Sequence, residues 1–153
     1  MLQLVTELLD LARIESGQQR MEVADVDASD LLADVADVFA IRAAEAGVAV
    51  DVRPGGQRMV LADFDRIEQV LSNLVDNALR HTPRGGHVEL WSEARTPGFV
   101  DFVVADDGEG IAADDLPQVL DRFYRTALGE PEMPGAGLGL AICKRLVACM
   151  GGE

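Results

Sequence analysis

The sequence DFDRIEQVLSNLVDNALRHTP occupies residues 63–83, and at helical spacing it has two faces of different chemistry. One face is apolar and would pack on a core; it carries Val70, Leu71, Leu74, Val75, Ala78 and Leu79. The face beside it is polar and carries Gln69, Asn73, Asn77, Arg80 and His81. Asparagine is a poor helix former, because its side chain competes for backbone hydrogen bonds. Two asparagines one turn apart therefore indicate either satisfied buried amides or a binding site.

The composition limits the possible functions. A chain of 153 residues, 48% of them hydrophobic, is long enough for one domain with a core and is not a disordered chain. No apolar run approaches the roughly 20 residues that a membrane span needs, and the first residues do not resemble a signal peptide. The net charge of −14 opposes binding to nucleic acids and direct contact with anionic membranes. An acidic protein of this kind binds a polyphosphate only with a divalent cation or with locally concentrated arginines.

The cysteines indicate the redox state of the compartment in which the protein works. Cys143 and Cys149 are six residues apart in one predicted helix and would lie on opposite faces of it, so they are poorly placed for an intramolecular disulfide. A reducing cytoplasm is the simpler interpretation.

The helices are predicted from apolar periodicity and end signals. An amphipathic helix is expected over residues 2–15, and a second one begins at Ser29 or Asp30 and ends at Gly47. Asp63 is expected to cap the central helix, which ends near Pro83 because the residue before a proline avoids helical backbone angles.

The strands are predicted as two hairpins. Residues 48–52 would turn through 53–56 and pair with 59–61, and residues 87–95 would pair with 99–105. Helices and antiparallel hairpins in this order indicate an α+β fold rather than alternating βαβ units.

A carboxylate and two glycines follow the last predicted strand, in the run Asp106-Asp107-Gly108-Glu109-Gly110-Ile111. The glycines permit positive φ and a close approach of a flat ligand to the backbone. A carboxylate at the strand end can accept a hydrogen bond from an exocyclic amine such as that of adenine. A calcium loop of the EF-hand type would need an oxygen ligand at the third position, where this chain has Gly108.

A glycine-rich run opens the last predicted helix. A short helix is expected from Asp114 or Asp115 to residue 125, followed by a loop with the composition of a mobile lid, and then Gly135-Ala136-Gly137-Leu138-Gly139-Leu140 before a helix over 138–150. Glycines at a helix N-terminus favour an anion, because free N–H groups face it. The spacing matches neither the dinucleotide fingerprint nor a Walker loop, since the only lysine, Lys144, lies inside the helix.

In this order the motifs resemble those of the ATP-binding catalytic domain of bacterial sensor histidine kinases, in the GHKL superfamily shared with gyrase, Hsp90 and MutL. Residues 73–78 match the N box, 106–110 the G1 box, 122–125 the F box and 135–140 the G2 box. Residues 8–17 resemble the end of the second helix of a dimerisation and histidine-phosphotransfer domain. The resemblance covers nearly the whole chain from residue 2.

The resemblance implies a fold and a division of the chain. The expected fold is a two-layer α/β sandwich of the GHKL (Bergerat) type, with a mixed, largely antiparallel sheet under helices and a lid over the nucleotide. Residues 1–17 would end a phosphotransfer helix, and residues 18–153 would form the catalytic domain without its usual last strands. Without those strands the sheet would expose an edge unless something covers it.

The resemblance also implies roles for individual residues. Asn77 would hold the Mg²⁺ that bridges the ATP phosphates, with Asn73 beside it, and Arg125 would reach the γ-phosphate or the phosphoacceptor. These three would form the catalytic set. The nucleotide would contact Asn73, Asn77, Arg80, His81, Asp106, Gly108, Gly110, Ile111, Arg125, Gly135, Gly137, Leu138 and Gly139.

The chain departs from the family in lacking a phosphoacceptor segment. His81 belongs to the implied nucleotide site and His87 to a strand, so the phosphate would go to a histidine on a separate chain or on missing upstream sequence. Half of a split kinase and an excised fragment both remain open. A response regulator would be served indirectly, and the location would be cytoplasmic, with possible membrane association through a sensor partner.

Three functions compete at this point. The first is a histidine kinase catalytic domain that binds Mg-ATP. The second is a serine kinase or ATPase of the same superfamily, which would need a glutamate base where Asn73 stands; an amide cannot take that proton. The third is a degenerate module that binds nucleotide or a kinase partner without phosphorylating it.

Overall fold

The computed structural model describes residues 2–17, 20–55, 58–95, 97–124 and 137–153. Its helices are α1 (Leu2–Glu15), α2 (Ala28–Ala46), α3 (Phe64–His81) and α4 (Gly139–Cys149). Its strands are β1 (Val23–Asp27), β2 (Ala49–Val52), β3 (Met59–Asp63), β4 (His87–Glu93) and β5 (Asp101–Asp106). None of the helices in these ranges is long and apolar enough to cross a membrane. The chain divides into two compact units, Glu22–Gly110 and a second made of Met1–Met21 with Ile111–Glu153.

The Glu22–Gly110 unit contains two small sheets, one of which includes a predicted hairpin. β1 pairs antiparallel with β3, while β2, β4 and β5 form a second sheet in which β2 runs parallel to β4. The predicted hairpin of residues 48–52 with 59–61 is therefore wrong. The partner of β3 is β1, a strand in the polar connector that the sequence analysis missed because most of its side chains are exposed.

The parallel pairing of β2 has a packing reason. Val50 and Val52 lie beside Val88 and Leu90 in the register of the sheet, and the last two side chains are fully buried. The apolar positions of β2 thus have apolar neighbours on β4.

The second predicted hairpin is confirmed. β4 and β5 pair antiparallel from Val88 opposite Asp106 to Glu93 opposite Asp101. Both strands are shorter at the turn than predicted, and Thr96 of the predicted turn lies outside the described residues.

The ends of α2 were predicted in part. Gly47 ends the helix with φ of 70°, as expected for a left-handed C-cap. The N-cap is Asp27, not Ser29 or Asp30, and its carboxylate accepts hydrogen bonds from the N–H groups of both those residues. An aspartate in an extended conformation just before the first turn satisfies these donors directly.

The central helix α3 has the predicted start and end. Asp63 caps it by accepting a hydrogen bond from the N–H of Arg66 at 3.2 Å, and Thr82 follows the last residue. Its buried side chains are Ile67, Val70, Leu71, Val75, Ala78 and Leu79. Leu74 is only half-buried, in contrast to the prediction. α2 and α3 pack on each other and on the second sheet, and this places the core between them.

In the other unit, α1 packs with α4, whose buried residues include Ile142, Cys143 and Leu146. Cys143 is buried and Cys149 is exposed, and neither forms a disulfide. The short helix predicted from Asp114 or Asp115 is wrong, because turns follow each other there. Pro117 disfavours helical backbone angles at the residue before it, Leu116, which lies in the predicted first turn.

The outward face of the second sheet carries a charged pair. Arg53 donates to both carboxylate oxygens of Glu89, and its guanidinium carbon lies 4.2 Å from the centroid of the Trp91 ring. The hydrogen bond from Arg53 lowers the pKa of Glu89 below the ordinary value of 4.5. The pair therefore stabilises the fold above pH 4.5, and this contribution is lost as the pH falls through the lowered pKa.

Glu89→Gln is expected to reduce the acid sensitivity of the fold. Between pH 6 and about pH 3 the thermal midpoint of the unmodified chain should fall further than that of the variant, because only the unmodified chain has this carboxylate to protonate. Thermal unfolding followed by circular dichroism at several pH values measures the difference. Glu45→Gln, at an exposed position on α2, is the control and should follow the unmodified chain. Parallel curves for all three proteins would contradict the expectation.

Candidate functional site

The polar face of α3, called the amide face after Gln69, Asn73 and Asn77, is formed as its spacing predicts. Asn73 and Asn77 lie one turn apart and are half-buried, and Gln69 lies one turn before them. The amide oxygen of Gln69 accepts a hydrogen bond from Arg66 Nη1 at 3.1 Å. The Gln69 side chain is thus held by a residue of the same helix. Both asparagine side chains are therefore partly exposed in the middle of a well-formed helix.

Arg80 lies on the same face and pairs with an acid that the sequence analysis did not single out. Its Nη2 is 2.5 Å from Asp76 Oδ2, and the other oxygen of Asp76 accepts from Arg42 of α2. Arg80 is half-buried, and its guanidinium is thus oriented by a neighbour on its own helix.

The loop after β5 is held by its two aspartates. Asp106 is exposed at the strand end, and its Oδ1 accepts a hydrogen bond from the N–H of Gly108 at 2.9 Å. Asp107 Oδ1 accepts from the N–H of His87 at 2.8 Å, which closes the end of the sheet. The two carboxylates therefore have different tasks: Asp107 completes the strand ladder, while Asp106 shapes the turn and faces solvent.

Residues 106–110 lie directly against the last turn of α3. A Cβ on Gly108 would be 2.4 Å from the carbonyl oxygen of His81, so only glycine permits this approach. The side chains of the two segments also meet, with His81 Nδ1 3.2 Å from Glu109 Oε1. The structure thus brings together His81, at the end of the amide face, and the predicted Asp106, Gly108 and Gly110 segment.

The remaining predicted residues that the structure describes lie in the unit made of Met1–Met21 and Ile111–Glu153. Gly137 has φ of 69°, and a Cβ there would be 2.7 Å from the carbonyl oxygen of Tyr124. Its own carbonyl accepts a hydrogen bond from the N–H of Phe123 at 2.9 Å. Leu138 is fully buried at the N-cap of α4 and provides no side-chain cap. The first turn of α4, beginning at Gly139, thus has no side-chain cap, as an anion site at a helix N-terminus requires.

Tyr124 is a residue that the sequence analysis matched only as part of a motif. Its hydroxyl donates a hydrogen bond to Asp115, and this bond raises the pKa of Tyr124. The phenol is therefore a neutral donor at physiological pH, and its hydrogen bond stabilises the turn after residue 120. Ile111, predicted to contact the nucleotide, is exposed in the same unit.

Two predicted residues, Arg125 and Gly135, lie outside the described residues, as does the predicted lid between them. Their roles stay predictions.

The donor set is compatible with a magnesium ion bound through a nucleotide. Among the described residues there is no group of three or more histidines, cysteines, aspartates or glutamates that could hold a metal by itself. Mg²⁺ keeps several waters and is commonly bound by one or two protein oxygens plus substrate phosphates. The half-buried amide oxygens of Asn73 and Asn77 fit this mode of binding.

Sequence and structure comparisons identify similar proteins. Residues 62–153 match the family model described as histidine kinase-, DNA gyrase B-, and HSP90-like ATPase. The chain is 37% identical to the signal transduction histidine-protein kinase/phosphatase MprB of Mycolicibacterium paratuberculosis, over 97% of the chain and 27% of that protein. It is 35% identical to the histidine protein kinase DivJ of Caulobacter vibrioides, over 100% of the chain and 26% of that protein.

A solved structure is also similar to the chain. Full-length ShkA in complex with AMPPNP matches with a TM-score of 0.85 and 37% identity, over 98% of this chain and 31% of that one. The chain spans 18% to 27% of the length of the first curated relatives.

Proposed function

We propose a function that starts from one established fact: the chain belongs to the family of histidine kinase-, DNA gyrase B-, and HSP90-like ATPases. The predicted GHKL-type fold and the predicted relationship to sensor histidine kinases are both confirmed. The proposed function is to bind Mg-ATP and to transfer its γ-phosphate to a histidine of a dimerisation and phosphotransfer domain, in two-component signalling.

The observation that carries the proposal is the amide face of α3 beside the loop of residues 106–110. Both belong to one compact unit, and the contact of Gly108 with His81 joins them. In that unit an exposed carboxylate, suited to an exocyclic amine, lies at the strand end that adjoins the helix with the two asparagines. This arrangement offers separate groups for a base and for a phosphate chain.

The chain's own residues would act by binding and orientation. Asp106 would accept a hydrogen bond from the adenine amine, and Asn77 would hold Mg²⁺ through its amide oxygen, with Asn73 beside it. Bound Mg²⁺ would neutralise charge on the phosphates. Arg80 would contact the same phosphates from the next turn. Phosphoryl transfer requires little covalent participation of the protein, so positioning and charge compensation supply most of the catalysis.

Transfer is favoured over hydrolysis by the chemistry of Asn73. An amide has no basic group that could take a proton from water or from a serine hydroxyl. A histidine acceptor does not need such a base, because a neutral imidazole nitrogen already carries a free electron pair.

The proposed partners follow from the same role. The phosphate would go to a domain on another polypeptide or on sequence outside the 153 residues, and then to a response regulator. α1 would be the end of the phosphotransfer helix, and the boundary at residue 17 stays a prediction. A cytoplasmic location, with membrane association through a sensor partner, is part of the proposal.

Labelled phosphate transfer tests the function. The chain is incubated with Mg-ATP labelled at the γ-phosphate, alone and with isolated phosphotransfer domains of histidine kinases. Acid-labile, base-stable label on the partner supports the proposal. Nucleotide binding without any transfer would instead identify a binding module, and no binding at millimolar ATP would refute the nucleotide site.

Asp106→Asn is expected to weaken ATP binding at least about tenfold, because a hydrogen bond to a charged acceptor contributes roughly 1.5–3 kcal/mol. GTP carries an acceptor oxygen at the position where ATP carries its amine. GTP should therefore bind the unmodified chain more weakly than ATP does, and Asp106→Asn should not weaken GTP binding further. Titration with both nucleotides measures this loss of discrimination. Asp101→Asn, at the other end of β5, is the matched control and should bind like the unmodified chain. Equal weakening of both nucleotides would show that Asp106 acts only on the loop.

A further inference from the structure

We propose that Asp76 competes with the nucleotide phosphates for Arg80, and that Arg42 weakens this competition from the neighbouring helix. Arg42 would thereby set the affinity for ATP without touching the nucleotide. The inference rests on the proposed function, because it concerns the phosphate side of the same site.

The geometry places one carboxylate between two guanidinium groups. Asp76 Oδ1 accepts from Nη2 of Arg42 on α2, and Asp76 Oδ2 lies 2.5 Å from Nη2 of Arg80 on α3. The Asp76 side chain is only 21% exposed, so its charge is partly shielded from water and depends on these partners. Arg42 is in turn held over the Phe39 ring, with 5.2 Å from its guanidinium carbon to the ring centroid.

Arg80 lies within reach of two anions, the Asp76 carboxylate and the phosphates of a bound nucleotide. Asp76 is four residues before it and the amides of Asn73 and Asn77 share its face, so phosphates held by those amides would lie beside the same guanidinium. Carboxylate and phosphate oxygens require the same N–H donors of arginine. If Asp76 had no other cation, release of Arg80 to a phosphate would leave a half-buried carboxylate uncompensated. Arg42 removes that cost because it remains bonded to Asp76.

The charge count gives the direction of each effect. The two arginines and one aspartate sum to +2 − 1 = +1, in a chain whose net charge is −14. Loss of the Arg42 charge leaves this cluster neutral and leaves Asp76 dependent on Arg80 alone. Loss of the Asp76 charge leaves +2 and removes the carboxylate that competes with a phosphate for Arg80. The groups are partly exposed and therefore screened, so changes of a few-fold are expected.

A double-mutant cycle on nucleotide affinity tests the proposal. Dissociation constants for Mg-ATP and for adenosine are measured at low ionic strength for the unmodified chain, Arg42→Gln, Asp76→Asn and the double variant. We expect ATP to bind about threefold more weakly to Arg42→Gln and about threefold more tightly to Asp76→Asn. Adenosine, which has no phosphate, should bind equally to all four. The double variant should match Asp76→Asn, because Arg42 acts only through the Asp76 charge.

The controls separate a local from a global charge effect. Arg95→Gln removes a positive charge near the far end of β4, and Asp25→Asn removes a negative one on β1. Neither should change ATP affinity.

Several outcomes would overturn the proposal. Weaker ATP binding by Asp76→Asn, or a parallel loss of adenosine binding, would show that Asp76 only ties α2 to α3. An effect of Arg42→Gln that persists in the double variant would show that Arg42 acts without Asp76. If the unmodified chain binds neither ATP nor adenosine, the proposed function fails together with this inference; if it binds ATP and the cycle fails, only the inference is lost.

Discussion

Replacing Asn77 by alanine is expected to reduce phosphate transfer about 100-fold or more, the effect seen when one group that stabilises transition-state charge is removed. Asn77 is the proposed magnesium ligand on the half-buried face of α3. Alanine is a better helix former than asparagine, so the helix itself should not become less stable. A loss of transfer would therefore reflect the missing amide and not a damaged fold.

The experiment compares initial rates of transfer to a phosphotransfer domain at several Mg²⁺ concentrations, together with adenosine binding. Adenosine affinity should be unchanged, because Asn77 is assigned to the phosphates and not to the base. Glu68→Ala, elsewhere on α3, is the control and should transfer at the normal rate. A normal rate for Asn77→Ala would remove the amide face from the proposed mechanism.

Gly108→Ala is expected to damage both the fold and the site. The new Cβ would lie 2.4 Å from the His81 carbonyl oxygen and 2.7 Å from Asp106 Oδ1, and neither can move without shifting backbone or breaking the turn. Overpacking of this kind costs about 1–3 kcal/mol, and we expect the upper part of that range because the first obstacle is backbone. Displacement of the loop should also weaken adenosine and ATP binding together, by at least about tenfold.

Chemical denaturation and nucleotide titration measure the two effects separately. Gly55→Ala is the matched control, since its new Cβ would lie 3.5 Å from the nearest atom, Arg58 Nη1, an ordinary contact. It should change neither quantity appreciably. Unchanged nucleotide binding in a folded Gly108→Ala variant would show that the approach of the loop to α3 is not needed for the site.

Features with a local cause were predicted from the sequence. Asp63 caps α3 through a residue three positions away, and the face that carries Asn73 and Asn77 follows from helix periodicity alone. The β4–β5 hairpin was predicted for the same reason, because its strands are close in the chain and separated by turn residues.

Features that depend on distant residues were missed or wrong. β1 shows little apolar alternation, and its pairing with β3 is set by the elements that bring residues 23–27 and 59–63 together. The parallel pairing of β2 is of the same kind. A helix was predicted where turns follow Ile111, although Pro117 disfavours helical backbone angles at Leu116.

The residues of the candidate site that are unusual in their sequence context were predicted, and its acidic residues were missed. Asparagines in a helix and clustered glycines stand out in a sequence. Asp76 and Glu109 look like solvated surface acids. The four-residue spacing on a helix permits the contact of Asp76 with Arg80, whereas only the structure shows the contact of Glu109 with His81. No spacing rule connects residue 42 to residue 76, since that contact is between helices.

The pairing of β2 with β4 also bears on the order of events in folding. β2 and β4 enclose β3 and α3 in the chain, and β1 and β3 enclose α2 and β2, so each pairing closes a long loop that contains part of the other. Such closures are entropically costly and slow compared with the local β4–β5 hairpin. α3 contacts both β4 and β5, so its surroundings on the sheet are complete only after these two strands have been synthesised. On a ribosome, therefore, the helix with the two asparagines would be made well before the surroundings that turn it into a nucleotide site.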